Sequence, residues 1–217
     1  MARNLTKEYD AKLNKVVFNI KHQRTFCMIK PDGVIRGLIG EIIRRMEKAG
    51  LKVIAMKMII PNEDMIRAHY PMSDEKWIAR LGTKAKMSLE GLSLNAKEIY
   101  GSDDDRELGD AVLQGLINYL TSGPVVVMVV EGIQAIEMVR KMAGNTLPYK
   151  AELGTIRGDF SVDSPVVANV EGRSIHNLFH ASETAEEAAN EMKLWFGDEV
   201  VCDYSLGSED IMYCKHY

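Results

Sequence analysis

Short apolar runs and helical repeats of apolar residues alternate along this 217-residue chain. The first run, Thr25 to Lys30, predicts a strand because it ends at Pro-Asp-Gly, a sequence typical of turns. Apolar residues at helical spacing between Leu38 and Ala49 predict a helix, and Gly50 is placed to end it. A second strand is expected from Leu51 to Ile60.

The next part of the chain predicts two helices separated by a segment without a clear period. Asn62 can cap a short helix that ends before Pro71, with acidic residues in its first turn. Residues 71–106 are expected to be less regular. The helical period returns from Leu108 to Tyr119 and ends at Gly123-Pro124.

An almost continuous run of valine, Pro124 to Glu131, predicts a central strand packed against helices. A helix should follow from Gln134 to Ala143, and residues 145–177 should form a long irregular stretch, which in a compact domain is usually functional or disordered. A short strand from Asn177 to Ser182 and a helix capped by Thr184 complete the pattern.

The predicted order of elements is β-α-β-α-α-β-α-loop-β-α. An α+β fold fits this order best, a ferredoxin-like βαββαβ sandwich with helices covering a small, mostly antiparallel sheet.

Composition narrows the functional classes. Apolar residues make up 46% and charged residues 27% of the chain, as in soluble globular proteins. A formal charge of −4 gives no basic excess for a nucleic-acid backbone, so no specific nucleic-acid partner is expected. No apolar run is long enough for a signal peptide or a membrane span, which predicts a cytoplasmic protein without a membrane partner. The three cysteines, Cys27, Cys202 and Cys214, are read as free thiols.

The common signatures for phosphate loops, dinucleotide folds, zinc proteases and serine hydrolases do not occur in the sequence. What remains is a set of cations and polar groups at the ends of predicted elements. These are Lys30, Tyr70, Arg140, Thr146, Arg157, Asn177 and His180. Each alone would more often be a surface cation or a loop-capping polar group.

Several sequence blocks closely resemble the nucleoside diphosphate kinase family, in the family's order. They are Lys30-Pro31-Asp32-Gly33, Arg36-Gly37, Gly40-Glu41-Ile42, His69-Tyr70, Ser122-Gly123-Pro124-Val125, Gly154-Thr155-Ile156-Arg157-Gly158-Asp159-Phe160 and Asn177-Leu178-Phe179-His180-Ala181-Ser182. The resemblance implies a kinase domain over residues 24–204, with insertions at about 71–108 and 161–172. Residues 1–23 are then an N-terminal extension and residues 205–217 a C-terminal tail.

The resemblance also implies the chemistry. His180 would be the nucleophile that carries the phosphoryl group between an NTP and an NDP in a ping-pong reaction that maintains NTP and dNTP pools. A neutral imidazole suits this role near pH 7. Glu191 would lie against its ring and fix the tautomer. The expected catalytic residues are thus His180, Glu191 and Tyr70.

By the same resemblance, Lys30 and Tyr70 approach the transferred phosphate, and Asn177 reaches the ribose. Arg140, Thr146 and Arg157 would hold the more distant phosphates. Mg²⁺ is expected to arrive on the nucleotide phosphates, without a dedicated protein site. The partners implied are ATP, GTP and other NTPs and NDPs, and a second copy of the chain in a homohexamer or homotetramer.

Three points stay open at the level of sequence. The residue that stacks on the base is not assigned; Val112 aligns loosely, and Trp77 and Ile78 are other candidates. Glu183 stands where the family motif usually continues with Asp. The competing functions are a ligand-binding module on the same fold and a catalytically silent scaffold, and the presence of Lys30 and His180 argues against silence.

Overall fold

The computed structural model describes residues 7–91, 93–198 and 201–213. The strands within these ranges are β1 (Gln23–Ile29), β2 (Lys52–Ile59), β3 (Val125–Gly132) and β4 (Phe179–Ala181). The helices are α1 (Lys7–Lys21), α2 (Pro31–Ile35), α3 (Ile39–Lys48), α4 (Glu63–His69), α5 (Glu75–Glu90), α6 (Ala96–Tyr100), α7 (Asp105–Thr121), α8 (Ala135–Ala143), α9 (Ile156–Phe160), α10 (Pro165–Val170), α11 (Ala185–Phe196) and α12 (Glu209–Met212). A short 3₁₀ helix covers Pro148–Lys150.

The strands form one sheet in the order β2-β3-β1-β4, and each neighbouring pair is antiparallel. This is the order expected of a ferredoxin-like fold, so the predicted fold class is confirmed. In β1, Met28 pairs with His180 of β4. The short strand β4 is therefore held against the most buried part of the sheet.

The two central strands, β1 and β3, are buried on both faces, and the side chains alternate between the faces as strand geometry requires. Phe26 and Met28 of β1 pack with α4, α7 and α11, whereas Cys27 and Ile29 pack with α3 and α8. Every residue of β3 is buried. The valine-rich sequence of β3 reflects this central position, because neither face meets water.

Most predicted element ends agree with the structure. Asn62 caps α4 by accepting the backbone N–H of Met65, and Gly50 follows α3 with a φ of +84°. Thr184 caps α11 by accepting the N–H of Glu187, whose carboxylate accepts the N–H of Glu183.

The prediction of a less regular segment at residues 71–106 was wrong, since α5 and α6 lie there. The buried face of α5 includes Gly82 and Ala85, so its apolar pattern is weak. A Cβ at Gly82 would collide with the backbone of α7, and one at Gly109 would collide with α5. The two helices therefore pack unusually closely, and small residues carry the contact.

The stretch at 145–177 is also more regular than expected, because it contains α9, α10 and the 3₁₀ helix. Thr155 caps α9 and Ser164 caps α10. Helices of five and six residues are too short to show a helical period in sequence.

The first and last described segments, α1 and the residues after α12, meet at one side of the sheet. Lys21 at the end of α1 donates to the carbonyl of Tyr213. Lys52 forms buried ion pairs with Glu131 and Glu209, which tie α12 to the sheet.

Two of the three predicted free cysteines are described by the structure. Cys27 is buried and Cys202 is exposed, both as free thiols. Cys214, residues 1–6 and the end of the tail lie outside the described residues. None of the helices in the described part of the chain is long and apolar enough to cross a membrane.

Candidate active site

Seven of the eight predicted site residues line one cleft of about 490 Å³, called here the polar cleft. They are Lys30, Tyr70, Arg140, Thr146, Arg157, Asn177 and His180. The eighth, Glu191, lies behind His180 and contacts its ring. The side chains come from the ends of β1, β4, α4, α8 and α9, which the sheet order brings together.

His180 lines the polar cleft, and one of its ring nitrogens is held by a hydrogen bond. Its Nε2 lies 2.7 Å from the Oε1 atom of Glu191, so the N–H at this position donates to the carboxylate. This hydrogen bond fixes the tautomer of the neutral ring. The lone pair is then on Nδ1, the nitrogen available for bond formation.

Glu191 is buried and bound on both oxygens. Its Oε2 accepts a hydrogen bond from the hydroxyl of Ser182, which is itself fully buried. Burial raises the pKa of Glu191, while the Ser182 hydrogen bond opposes this shift. The carboxylate therefore cannot rotate away from His180 without losing the second contact.

The surroundings of His180 keep its ring neutral. Burial, followed by the positive charges of Lys30, Arg157 and Arg140, lowers the pKa of His180 to about 3. At pH 7 the nucleophilic lone pair is thus present in nearly every molecule. The same cations that suppress protonation would attract a phosphate.

Lys30 lies at the end of β1 and is bonded within the cleft. Its Nζ donates to the Oδ1 atom of Asn177 at 2.7 Å, and the Nδ2 atom of Asn177 donates to the carbonyl of Thr146 at 3.0 Å. Burial lowers the pKa of Lys30 to about 7, helped by Arg157 and opposed by Asp32. In the protein without a bound nucleotide, Lys30 therefore loses its positive charge as the pH rises through about 7.

Arg157 is anchored by backbone carbonyls as well as facing the cleft. Its Nε, Nη1 and Nη2 atoms donate to the carbonyls of Asn177, Gly144 and Phe179. A guanidinium has more N–H donors than the three used here, so it can still bind an anion. Burial lowers the pKa of Arg157 to about 10, and it stays charged at pH 7.

Arg140 lies on the exposed rim of the polar cleft. It forms an ion pair with Glu183 at 3.2 Å, and both side chains are largely exposed. Such a pair contributes little free energy, so Arg140 is available to another anion. Glu183, the residue that departs from the family motif, thus forms an ion pair with Arg140, which is predicted to bind phosphate.

Sequence reasoning missed His69 and Ser182 as members of the site. The buried ring of His69 packs edge-on against that of His180, with centroids 4.6 Å apart, and its Nδ1 accepts the indole N–H of Trp195. Burial lowers the pKa of His69 to about 3. Both residues belong to the sequence blocks that carry the family resemblance, which was the available signal.

One cluster of three metal-ligating side chains occurs among the described residues: His69, His180 and Glu191. Two of its ligand atoms would be nitrogens that already make hydrogen bonds. Mg²⁺ prefers an all-oxygen set of ligands, so this cluster does not suit it.

The acidic run Asp103-Asp104-Asp105 stabilises helices. Asp104 caps α7, and Asp105 accepts a hydrogen bond from the Thr83 hydroxyl of α5.

A second cleft, called here the apolar cleft, adjoins the polar cleft at Thr146 and has a volume of about 610 Å³. Its walls come from α5, α7, α10 and the 3₁₀ helix, with Leu81, Met87, Val112 and Ile175 among the apolar side chains. Helix α5 thus forms one side of this space. Val112 lies in it, whereas Trp77 and Ile78 do not line it.

Comparisons with known proteins agree with this geometry. A family model described as nucleoside diphosphate kinase matches residues 23–87 and 83–201. A nucleoside diphosphate kinase of Pyrobaculum aerophilum is 45% identical over 181 residues, covering 83% of this chain and 98% of the relative. One from Borreliella burgdorferi is 37% identical over 195 residues, covering 90% of this chain and 97% of the relative.

Solved structures give the same result. The crystal structure of an NDP kinase from Pyrobaculum aerophilum has a TM-score of 0.80 at 44% identity, covering 84% of this chain and 100% of its own. A transition state mimic of the Borrelia burgdorferi enzyme with bound vanadate and ADP has a TM-score of 0.71 at 36% identity, covering 89% and 98%. A Halobacterium salinarum enzyme in complex with CDP has a TM-score of 0.64 at 31% identity, covering 88% and 99%. The chain belongs to the nucleoside diphosphate kinase family.

Proposed function

We propose that this protein transfers the γ-phosphoryl group of ATP or another NTP to an NDP through a phosphohistidine at His180. The observation that carries the proposal is the hydrogen bond between His180 Nε2 and the buried Glu191, which leaves Nδ1 free beside three cations. In the first half-reaction, the Nδ1 lone pair forms the N–P bond as the bond between the γ-phosphorus and the bridging oxygen breaks. The NDP product leaves, and an acceptor NDP reverses the step.

Glu191 supports both half-reactions from behind the ring. When the N–P bond forms, the imidazole gains positive character, which the adjacent carboxylate stabilises. The Ser182 hydroxyl keeps that carboxylate in place. Because the ring is neutral before attack, no proton has to leave it first.

Charge neutralisation falls to the cations of the polar cleft. Phosphoryl transfer needs its reactants held in line and its negative charge balanced, and it needs little else from the protein. Lys30 and Tyr70 are assigned to the transferred phosphoryl group, Arg140, Thr146 and Arg157 to the other phosphates, and Asn177 to the ribose. Mg²⁺ would enter with the substrate, as MgATP, and would balance part of the negative charge of the phosphates.

The apolar cleft is the natural place for the base, since it adjoins the phosphate-binding residues at Thr146. Val112 is then the stacking candidate that the structure supports over Trp77 and Ile78. Relatives with bound ADP and CDP include both a purine and a pyrimidine nucleotide. Broad use of bases is therefore part of the proposal.

A homohexamer or homotetramer is proposed for the assembly, with the loop from Gly144 to Pro148 near subunit contacts. The edge strand β2 exposes Met56 and Met58, and Ile60 continues the exposed apolar surface. Exposed apolar edge strands favour association with another chain. A monomeric mass by light scattering at micromolar concentration, in an active preparation, would contradict this assignment.

A cytoplasmic location of the protein stays a prediction.

The direct test of the mechanism is the His180→Ala variant in an ATP and GDP exchange assay. We expect turnover to be abolished, because ping-pong transfer has no route around the nucleophile. His22→Ala is the matched control, since His22 lies at the far end of β1 next to Glu131. Substantial exchange in His180→Ala, with parent activity in His22→Ala, would refute the phosphohistidine mechanism.

A further inference from the structure

The backbone just before His180 adopts a strained three-residue turn. The N–H of Phe179 donates to the carbonyl of Asn177 at 2.7 Å, and Leu178 between them has a φ of +66°. A three-residue turn with a positive φ at its central residue is rare and strained. Leu178 is also fully buried. The turn sets the direction of the chain between two side chains of the polar cleft, Asn177 and His180.

The corner between β1 and α2 holds this turn by both backbone groups of Leu178. Its N–H donates to the Oδ2 atom of Asp32 at 3.2 Å, and its carbonyl accepts the N–H of Lys30 at 2.8 Å. The other oxygen of Asp32 accepts the hydroxyl of Tyr119, which is buried in α7. The Asp32 carboxylate therefore ties the strained turn to the helical layer beneath the sheet.

Asp32 does not line the polar cleft, so it acts through other residues. The Nζ atom of Lys30 lies 5.6 Å from the centroid of the Tyr119 ring. The hydroxyl of this tyrosine is the group that donates to Asp32. The negative charge of Asp32 also raises the pKa of Lys30, against burial and Arg157. The Asp32 carboxylate thus binds the backbone of the turn and also favours the charged form of Lys30.

We propose that Asp32 is a positioning residue for phosphoryl transfer, because its carboxylate locks Leu178 in the left-handed turn that aims Asn177 and His180 into the polar cleft. This inference rests on the proposed function, since it assigns a role in the same reaction. The energy that keeps the turn strained comes from contacts that lie outside the cleft.

The test compares Asp32→Ala and Asp32→Asn with the parent protein. An asparagine oxygen can accept the Leu178 N–H while its amide donates to the Tyr119 oxygen, so Asp32→Asn should retain the turn. Asp32→Ala loses both bonds. We expect single-turnover phosphorylation of His180 to slow by about ten- to a hundredfold in Asp32→Ala and to recover most of this loss in Asp32→Asn.

A pH profile separates the two roles of the carboxylate. In Asp32→Asn the alkaline decline of kcat/KM should move to lower pH, because Lys30 loses a negative neighbour while the positive Arg157 remains. The other titratable or charged groups near Lys30 are His180 of β4, His69 of α4 and Tyr119 of α7. A purely structural role would leave this decline in place.

The control is Asp104→Ala, which removes a backbone-binding aspartate from the cap of α7. It should lose thermal stability without losing single-turnover rate per folded molecule. The ¹H–¹⁵N histidine spectrum without nucleotide should show a changed His180 environment in Asp32→Ala only, and this readout does not depend on the proposed reaction. A parent-like spectrum and rate in Asp32→Ala would overturn the proposal, whereas no labelling of His180 in the parent would refute the proposed function itself.

Discussion

The two adjoining clefts differ in how they are built, although they share Thr146. The polar cleft consists of buried charged and polar groups that bond to one another at strand and helix ends. The apolar cleft is formed mainly by α5, α7, α10 and the 3₁₀ helix. We propose the polar cleft for the chemistry, because its polar groups bond to one another, and the apolar cleft for the base, because apolar side chains line it. Each variant below tests that division of roles.

Lys30→Met should cause the largest loss among the cations. Methionine keeps the length and apolar stem but removes the charge that neutralises the transferred phosphoryl group, so kcat/KM should fall by roughly a hundred- to a thousandfold. Lys48→Met, on the exposed end of α3, is the matched control. If Lys30→Met retains the parent kcat/KM in a coupled exchange assay, Lys30 does not contact the reacting phosphate.

Glu191→Gln should have an intermediate effect, because glutamine can accept the His180 N–H but cannot stabilise its positive charge. We expect single-turnover phosphorylation to slow by roughly ten- to a hundredfold with the fold retained. Glu186→Gln changes an exposed residue in the first turn of the same helix and should have no effect. Equal rates for both variants would make Glu191 a structural residue only.

The pH dependence should reveal the buried lysine. The folded pKa of Lys30 is about 7, below its usual value, so its charge is present below pH 7 and is lost as the pH rises. We therefore expect kcat/KM to fall above about pH 7, approaching tenfold per pH unit. Bound phosphates raise this pKa, so kcat should decline only at higher pH. Since the pKa of His180 is about 3, the ring should cause no acid decline between about pH 5 and 7. A kcat/KM that stays constant from pH 7 to 9 would contradict this role of Lys30.

The smallest effects should come from the apolar cleft. Apolar contacts discriminate between substrates by only about ten- to two-hundredfold, so kcat/KM for ADP, GDP, CDP, UDP and TDP should lie within about two orders of magnitude.

Asn169 of α10 lines the apolar cleft and donates a hydrogen bond to Ser88 of α5. Asn169→Ala should shift base preference severalfold at most, and Asn118→Ala, on the exposed face of α7, not at all. A preference of about a thousandfold or more for one base would show that the insertion reads the base edge.

Sequence patterns predicted the strands of the sheet because these depend on local signals, whereas the roles of the residues in the polar cleft were predicted from the family resemblance. The valines of β3 and the caps at Asn62 and Thr184 can be read directly, and the sheet order then places Lys30 beside His180. Helix α5 could not be predicted in this way, because it packs on α7 through Gly82 and Gly109, and small residues give a weak apolar pattern. His69 joins the site through tertiary packing alone, which no spacing along the chain reveals.

The most direct test of the central claim is to locate the phosphoryl group on the protein itself. Brief incubation with γ-labelled ATP and Mg²⁺ should give label that is stable to base, labile to acid and removed by added GDP, and mass spectrometry should assign it to His180. Label that survives acid, that maps to another residue, or that fails to appear while exchange continues would contradict transfer through His180.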